Sequence, residues 1–206
     1  MMSTATLIAF LSASVLLAIT PGPGIMYVLT RSLAGGRREG ILSSLGTLVG
    51  GFVHVLAAGL GLSVVLATSA IAYQAVRWAG ALYLIYLGVR MFRSAGQSDE
   101  AAEETPTGNP FVQGIVTEVL NPKTALFFLS FIPQFVNAKA GAVFGQFLLL
   151  GTITVILNTS ADVFVALFAG PIGQKLLASR RARKNQRRTT GVLMIGLGVY
   201  VAARES

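Results

Sequence analysis

Six runs of apolar residues follow one another along this chain, and short polar stretches separate them. The runs cover residues 4–33, 41–69, 72–92, 111–136, 143–171 and 189–203. A helix needs about 20 residues to cross the roughly 30 Å hydrocarbon core of a bilayer, so the first five runs predict membrane-spanning helices. The last run has 15 residues and would reach only about 23 Å at about 1.5 Å per residue. We therefore predict about six spans, with a five-span arrangement as the alternative.

The composition agrees with this pattern. Hydrophobic residues make up 53% of the chain and charged residues 12%, whereas an ordinary soluble domain carries about 25% charge. The net charge of +8 resides mostly in short loops between apolar runs, which leaves no soluble face for nucleic acid. The predicted fold class is an all-α integral membrane protein, embedded in a lipid bilayer and without a nucleic-acid partner.

Metal and catalytic chemistry have few candidate residues. The chain has no cysteine, and its single histidine is His54. Thiolate sites, disulfides and metal motifs that need two imidazoles are therefore excluded. No Ser-His-Asp spacing is present either, so we predict no catalytic residue, no metal and no cofactor, and a protein that is not an enzyme.

The basic residues are distributed unevenly between the two sides of the membrane. Twelve of the 16 Lys and Arg residues lie at the ends of the first, third and fifth runs or in the stretches that follow them. Because loops rich in Lys and Arg stay in the cytoplasm, these three loops are predicted to be cytoplasmic. Both termini then lie on the periplasmic or extracellular side.

The six runs divide into two halves of three. Residues 1–93 form the first half, residues 94–109 a polar and acidic connector in the cytoplasm, and residues 110–206 the second half of a single transmembrane domain. An odd number of spans per half makes the second half enter the membrane from the opposite side. The sequence therefore predicts two three-helix repeats that are inverted relative to each other.

A faint internal repeat supports this division. Thr20-Pro21 in the first half matches Asn121-Pro122 in the second, 101 residues later. Near the end of each half, residues 85–89 resemble residues 195–199. Chance similarity between apolar helices is the alternative, because such helices use few residue types.

The first and fourth runs are interrupted near their middle by residues that a helix disfavours. These are Thr20, Pro21, Gly22, Pro23 and Gly24 in the first run, and Asn121, Pro122 and Lys123 in the fourth. Proline removes a backbone donor and glycine loosens a helix. In hydrocarbon such breaks persist where they are buried in protein or line a cavity, and matching breaks in two halves indicate a transporter's binding site. A simple kink in a long helix is the alternative.

Each break would expose backbone groups suited to a zwitterion. Freed carbonyls bind a cation such as an ammonium group, and the helix start after Gly24 presents amide groups that bind a carboxylate. Lys123 lies about 12 residues inside the fourth run, where an ionisable group is costly and usually functional. We predict that the eight residues of the two breaks bind an amino acid as substrate.

Three further polar residues lie within apolar runs. Asp162 in the fifth run and Glu118, just before the second break, are candidates for proton coupling or for charge pairing with Lys123. His54 in the second run is a candidate proton carrier, because imidazole titrates near neutral pH. A structural ion pair is the alternative for the carboxylates, and an interhelical hydrogen bond is the alternative for the histidine.

Several motifs also form a recognisable set. They are Pro21-Gly22-Pro23, the glycines at 40, 46 and 50 followed by His54, residues 80–84 with 87–88, residues 120–128 and residues 131–135. This set resembles the lysine-exporter (LysE/RhtB) family of bacterial amino-acid exporters over the whole chain except the connector. The resemblance implies an inner-membrane secondary carrier that exports amino acids against proton entry. It also implies functional roles for the two breaks and Asp162, while Glu118 replaces an asparagine that the family often has.

The sequence therefore favours a proton-coupled exporter of amino acids or close derivatives in the bacterial inner (plasma) membrane. A channel or carrier for another small solute or cation is the alternative. The positive Lys123 argues against a cation pore, whose filter uses carbonyls or carboxylates. Gly46 and Gly50 allow close helix approach, and such small-residue faces also permit a homodimer.

Overall fold

The computed structural model describes residues 4–20, 22–68, 70–94, 107–137 and 140–169, and scattered positions between 184 and 202. Within these residues the chain is helical and contains no strand, which confirms the all-α class. The helices are α1 (Thr4–Ile19), α2 (Pro23–Thr68), α3 (Ala70–Ser94), α4 (Pro110–Val119), α5 (Pro122–Leu126) and α6 (Val143–Phe168). A π-helical turn, Phe127–Phe131, and a 3₁₀ turn, Ile132–Phe135, follow α5. Most of the acidic connector and about half of the sixth run lie outside the described residues.

Two of the described helical stretches are long and apolar enough to cross a membrane, namely Pro23–Gly61 within α2 and the whole of α6. A third span results if α4 is taken together with Pro122–Phe135, to which it is bent by 44°. Large apolar side chains such as Ile8 and Phe164 are exposed on the outer surface, which suits lipid rather than water. The number of six spans stays a prediction.

α2 reverses its direction at Gly36, whose φ is +77°. Residues eight apart on a straight helix are about 12 Å from each other, yet Glu39 contacts Arg31 at 3.0 Å. Gly40 likewise lies directly against Ser32. Because glycine adopts a positive φ without steric cost, Gly36 lets this helical segment fold back as a hairpin. The reversal falls in the polar stretch between the first two apolar runs.

The second arm of α2, which follows Gly36, packs closely along α4 in the same direction. An added Cβ on Gly46 would collide with the backbone carbonyl of Phe111, and one on Gly50 would lie 2.9 Å from the carbonyl oxygen of Ile115. Two helix backbones approach this closely only where side chains are small. The Gly46/Gly50 spacing thus serves contact within the chain.

We expect Gly46→Ala to destabilise the protein by about 1–3 kcal/mol, because the methyl group meets a backbone atom that cannot rotate away. Gly61→Ala is the matched control, since nothing lies within 4 Å of its added Cβ and alanine is the better helix former. Thermal unfolding of both variants in detergent measures the difference. Equal melting temperatures would contradict the close α2–α4 contact.

The same arm of α2 runs antiparallel to α6. Gly40 lies against Ala166, while Gly51, eleven positions further along α2, lies against Val155. Phe128 and Phe147 are fully buried beside this pair of helices and form part of the hydrophobic core. α2 therefore brings α4 and α6 together on two sides of itself.

α3 and the sixth apolar run also pack in opposite directions. An added Cβ on Gly88 would lie 2.6 Å from the carbonyl oxygen of Gly191, and one on Gly198 would lie 2.7 Å from that of Ala81. Residues with lower numbers in α3 therefore contact residues with higher numbers in the sixth run. The two stretches of similar sequence near the ends of the halves are thus antiparallel neighbours.

Candidate functional site

The two helix breaks lie against each other in the interior of the protein. Residues 20–22 separate α1 from α2, and residues 120–121 separate α4 from α5. Lys123, in the first turn of α5, extends into the first break. Its Nζ donates hydrogen bonds to the carbonyl oxygens of Thr20 at 2.8 Å and Leu17 at 3.1 Å.

Proline chemistry explains why the Leu17 carbonyl needs this donor. In a regular helix this carbonyl would accept from the amide of residue 21, but Pro21 has no amide hydrogen. Pro21 lies outside the described residues, and the amide of Thr20 reaches the Leu17 oxygen only at 3.3 Å. Lys123 supplies the missing donor. An added Cβ on Gly22 would lie 3.0 Å from Lys123 Cε, so glycine leaves room for the lysine.

The second break repeats this arrangement with the halves exchanged. Pro122 provides no amide hydrogen for the carbonyl of Glu118, four residues earlier. That carbonyl accepts instead from the amide of Asn121 at 3.0 Å and from His54 Nε2 at 2.8 Å. Because a carbonyl oxygen only accepts, Nε2 must carry the hydrogen. Lys123, in the second half, thus donates to carbonyls at the break in the first half. His54, in the first half, donates to a carbonyl at the break in the second half.

This contact favours an interhelical hydrogen bond as the role of His54. We expect His54→Phe to keep the stacking on Phe128, whose ring centroid lies 6.2 Å away, but to lose about 1–3 kcal/mol of stability because the Glu118 carbonyl loses a donor. His54→Gln retains a donor and should retain both stability and the pH dependence of transport. Thermal unfolding and transport assays over a pH series measure both. A changed pH dependence in His54→Gln would instead indicate a proton carrier.

The carboxylate of Glu118 is buried beside the second break. Asn121 Nδ2 donates to one of its oxygens at 2.9 Å, and Thr124 Oγ1 donates to the other at 2.6 Å. An added Cβ on Gly24 would lie 2.5 Å from Glu118 Oε2. The carboxylate therefore lies against the first turn of α2, where the helix dipole favours negative charge.

Asp162 lies on α6 and is 7% exposed. Its Oδ2 is 2.7 Å from Thr47 Oγ1 on the second arm of α2. Lys123 and Glu118 act electrostatically on Asp162. Among the described residues, however, neither carboxylate forms a salt bridge with Lys123 within 4.0 Å. The three ionisable groups share one interior region without direct pairing.

The remaining break residues have simpler surroundings. The hydroxyl of Thr20 donates to the carbonyl of Leu16 and so caps the C-terminal end of α1. Asn121 caps α5, since its Oδ1 accepts from the amide of Lys123 at 3.1 Å. Pro23 and Pro122 each occupy the first position of a helix, where proline is well tolerated. Each of these two prolines therefore starts a helix, and Pro122 also removes the donor that would continue α4.

Arg31 is one of the twelve basic residues counted with the cytoplasmic loops, and its buried environment was not predicted from the sequence. Arg31 is 2% exposed; besides Glu39 it donates to the carbonyl of Gly108 at 2.9 Å and to Gln113 Oε1 at 2.5 Å. Tyr27 accepts from its Nε at 3.2 Å. Its position inside the first apolar run was the available signal. The cluster ties α2 to the start of the second half.

Thr47 and Thr124 were also missed as partners of the two buried carboxylates. Their hydroxyls contact Asp162 and Glu118 respectively. Threonine is common in apolar helices, so the sequence alone gave no reason to select these two. Only the packing of α2 on α6 and the turn after the second break reveal them.

These observations define a class of protein. Two interrupted helices meet in the interior of a helical membrane protein, and backbone carbonyls, one ammonium group and two carboxylates converge there. Interrupted helices that meet in this way form the binding sites of many secondary transporters.

The chain belongs to the LysE type translocator family, whose family model matches residues 15–205. This result confirms the resemblance found in the sequence. The protein is therefore a multi-pass membrane transporter of that family.

Named relatives extend over most of the chain. It is 32% identical over 179 residues to a homoserine/homoserine lactone efflux protein of Salmonella typhimurium, covering 82% of this chain and 86% of that protein. A homoserine/homoserine lactone efflux protein of Salmonella typhi is 30% identical over 200 residues, covering 95% of both. The uncharacterized membrane protein YrhP of Bacillus subtilis is 29% identical over 205 residues, covering 94% of this chain and 97% of YrhP. No solved structure matches the chain.

Proposed function

We propose that this protein exports amino acids or close derivatives from the cytoplasm in exchange for protons. Family membership and the efflux function named for two relatives support export. The observation that carries the proposal is the contact of the Lys123 ammonium group with the carbonyls of Leu17 and Thr20. The first break thus already holds an ammonium group at the place where a substrate's own ammonium would bind.

The substrate would exchange partners with Lys123. An arriving amino acid presents an ammonium group for the carbonyls of the first break and a carboxylate for the displaced lysine. The amides at the start of α2, near Gly24, offer a second partner for that carboxylate. In this proposal the substrate-binding residues are Thr20, Pro21, Gly22, Pro23, Gly24, Asn121, Pro122 and Lys123.

Asp162 and Glu118 are the proposed proton-coupling groups. Both carboxylates are buried, and ionisable groups within membrane-spanning segments commonly form proton relays. A proton that enters from outside would bind when substrate leaves, and a new substrate would favour its release to the cytoplasm. The inverted halves would rock about the breaks to alternate access.

Two contacts support the inverted repeat that this mechanism uses. Gly22 and Lys123 correspond at the repeat distance of 101 residues, and they touch each other. Equivalent residues meet in this way when a two-fold axis passes between the halves. α3 and the sixth run are antiparallel, which agrees with the same axis.

The proposed location is the bacterial inner membrane, with the connector at 94–109 in the cytoplasm and both termini outside it. The bias of basic residues supports this orientation. Reporter fusions to the C-terminus test it: a reporter that works only outside the cytoplasm should be active, and activity of a cytoplasm-specific reporter would contradict the orientation.

The function itself is tested by loading bacterial cells with homoserine or with dipeptides. Cells that produce the protein should accumulate less of the exported amino acid inside and more outside than cells with the empty vector. Proteoliposomes with an imposed pH gradient then test proton exchange. Equal amino-acid distributions for every substrate offered would contradict amino-acid export, and single-channel conductance in bilayers would identify a channel instead.

A further inference from the structure

The hydroxyl group of Thr47 has two close oxygen neighbours. Its Oγ1 lies 2.9 Å from the backbone carbonyl oxygen of Ser44 and 2.7 Å from Asp162 Oδ2. Thr47 is 5% exposed and Asp162 is 7% exposed. Both distances are those of hydrogen bonds between oxygens.

A threonine hydroxyl has one hydrogen, so it donates to one oxygen at a time. A backbone carbonyl only accepts, and an ionised carboxylate only accepts as well. With Asp162 ionised, one of the two short contacts would therefore lack a hydrogen. With Asp162 protonated, its hydroxyl donates to Thr47 Oγ1 and Thr47 donates to Ser44, so that each oxygen contact contains one hydrogen.

We infer that Asp162 carries a proton in this conformation and that Thr47 is the residue that positions this proton. Thr47 is a positioning residue, since it acts through Asp162 and not on the substrate. This inference deepens the proposed function by naming the residue that controls the coupling group.

The charges around Asp162 agree with a neutral carboxyl group. Among the residues that the structure describes, Glu118 on α4 and Lys123 on α5 are the charged groups that act on it, while α1 has no titratable side chain. His54, further along α2, is hydrogen-bonded to the backbone of Glu118. One ammonium and one carboxylate balance each other, whereas a second ionised carboxylate would leave an uncompensated negative charge, which is costly away from water.

The same geometry shows how Thr47 responds when the proton leaves. After Asp162 releases its proton to water, its carboxylate becomes an acceptor. The Thr47 hydroxyl then turns from Ser44 to Asp162, which requires rotation about a single side-chain bond. Thr47 thus stabilises both states but donates to a different oxygen in each.

Infrared difference spectroscopy of the purified full-length protein tests the inference without a transport assay. Wild-type protein should show the C=O stretching band of a protonated carboxylic acid, and Asp162→Asn should remove it. Thr47→Val should move this band to higher frequency, because the protonated state loses its acceptor. It should also raise the pH at which the band disappears by about one unit, because the ionised state loses the stronger, charge-assisted hydrogen bond. Thr47→Ser should restore both properties, and Glu118→Gln should leave the band in place.

Two outcomes would overturn the inference. One is that the spectra of wild type and Asp162→Asn show no difference in this band at any pH tested. The other is that Thr47→Val changes neither the frequency of the band nor the pH of the transition, which would mean that Thr47 does not position the proton. If Thr47→Val does not fold, the wild-type and Asp162→Asn spectra still decide whether the proton is present. A protein that exports no amino acid but shows the expected spectra would contradict only the proposed function.

Discussion

Replacing Lys123 with methionine is expected to lower amino-acid export at least about 30-fold. Methionine fills a similar volume but donates nothing to the carbonyls of Leu17 and Thr20, which Lys123 now contacts at 3.1 and 2.8 Å. It also offers no charge to the substrate carboxylate. Loss of one partner from a buried charged contact costs about 2–5 kcal/mol, and each 1.4 kcal/mol is about tenfold in affinity. Export from loaded cells measures the effect at equal protein levels.

Two comparisons make this result specific. Lys184→Met removes an equal charge from an exposed position and should leave export unchanged. Lys123→Arg should also export less than the wild type. An added Cβ on Gly22 would lie only 3.0 Å from Lys123 Cε, so the site has no room for the larger guanidinium group. Wild-type export by Lys123→Met would show that the two breaks do not form the binding site.

Asp162→Asn is expected to abolish proton-driven export while leaving insertion and folding intact. The asparagine amide can donate to Thr47 Oγ1 in the place of a protonated carboxyl group, so the α2–α6 contact seen at 2.7 Å persists. The amide cannot release a proton, and transport against a concentration gradient should therefore fall at least about 100-fold. Uptake and release in proteoliposomes with an imposed pH gradient measure the coupling.

A matched control uses the connector, where Glu103→Gln removes a carboxylate outside the apolar runs. This variant should export as the wild type does. The melting temperature of Asp162→Asn should stay within a few degrees of the wild type, which separates loss of coupling from loss of structure. Gradient-driven export that persists in a folded Asp162→Asn protein would rule out a coupling role for Asp162.

The breaks themselves follow from local chemistry. Pro21 and Pro122 lack an amide hydrogen wherever they occur, so the carbonyls of Leu17 and Glu118 lose their helical partners in any fold that keeps these segments helical. A lysine about 12 residues inside an apolar run likewise signals an interior function from sequence alone. The family motifs include the same residues, so the sequence alone indicates the family.

The partners of these groups depend on contacts between distant segments. The sequence offered Glu118 and Asp162 as candidate counter-charges of Lys123. The structure adds hydrogen bonds from Lys123 to two backbone carbonyls 103 and 106 positions earlier in the chain. Arg31 is one of the twelve basic residues whose positions predict the orientation, but the reversal at Gly36 buries it beside Glu39. The local pattern of apolar and polar residues does not identify the partners of either side chain.

The sequence by itself determined the helical membrane class, the two places where a helix must end and the family, because hydropathy, proline and glycine act locally along the chain. Only the tertiary structure decided which side chains fill the vacant hydrogen-bonding positions. Lys123 and His54 form hydrogen bonds with the opposite half. Thr47 contacts Asp162, which lies 115 positions later in the chain. Those contacts arise from the packing of α2 between α4 and α6, which small residues permit but do not specify.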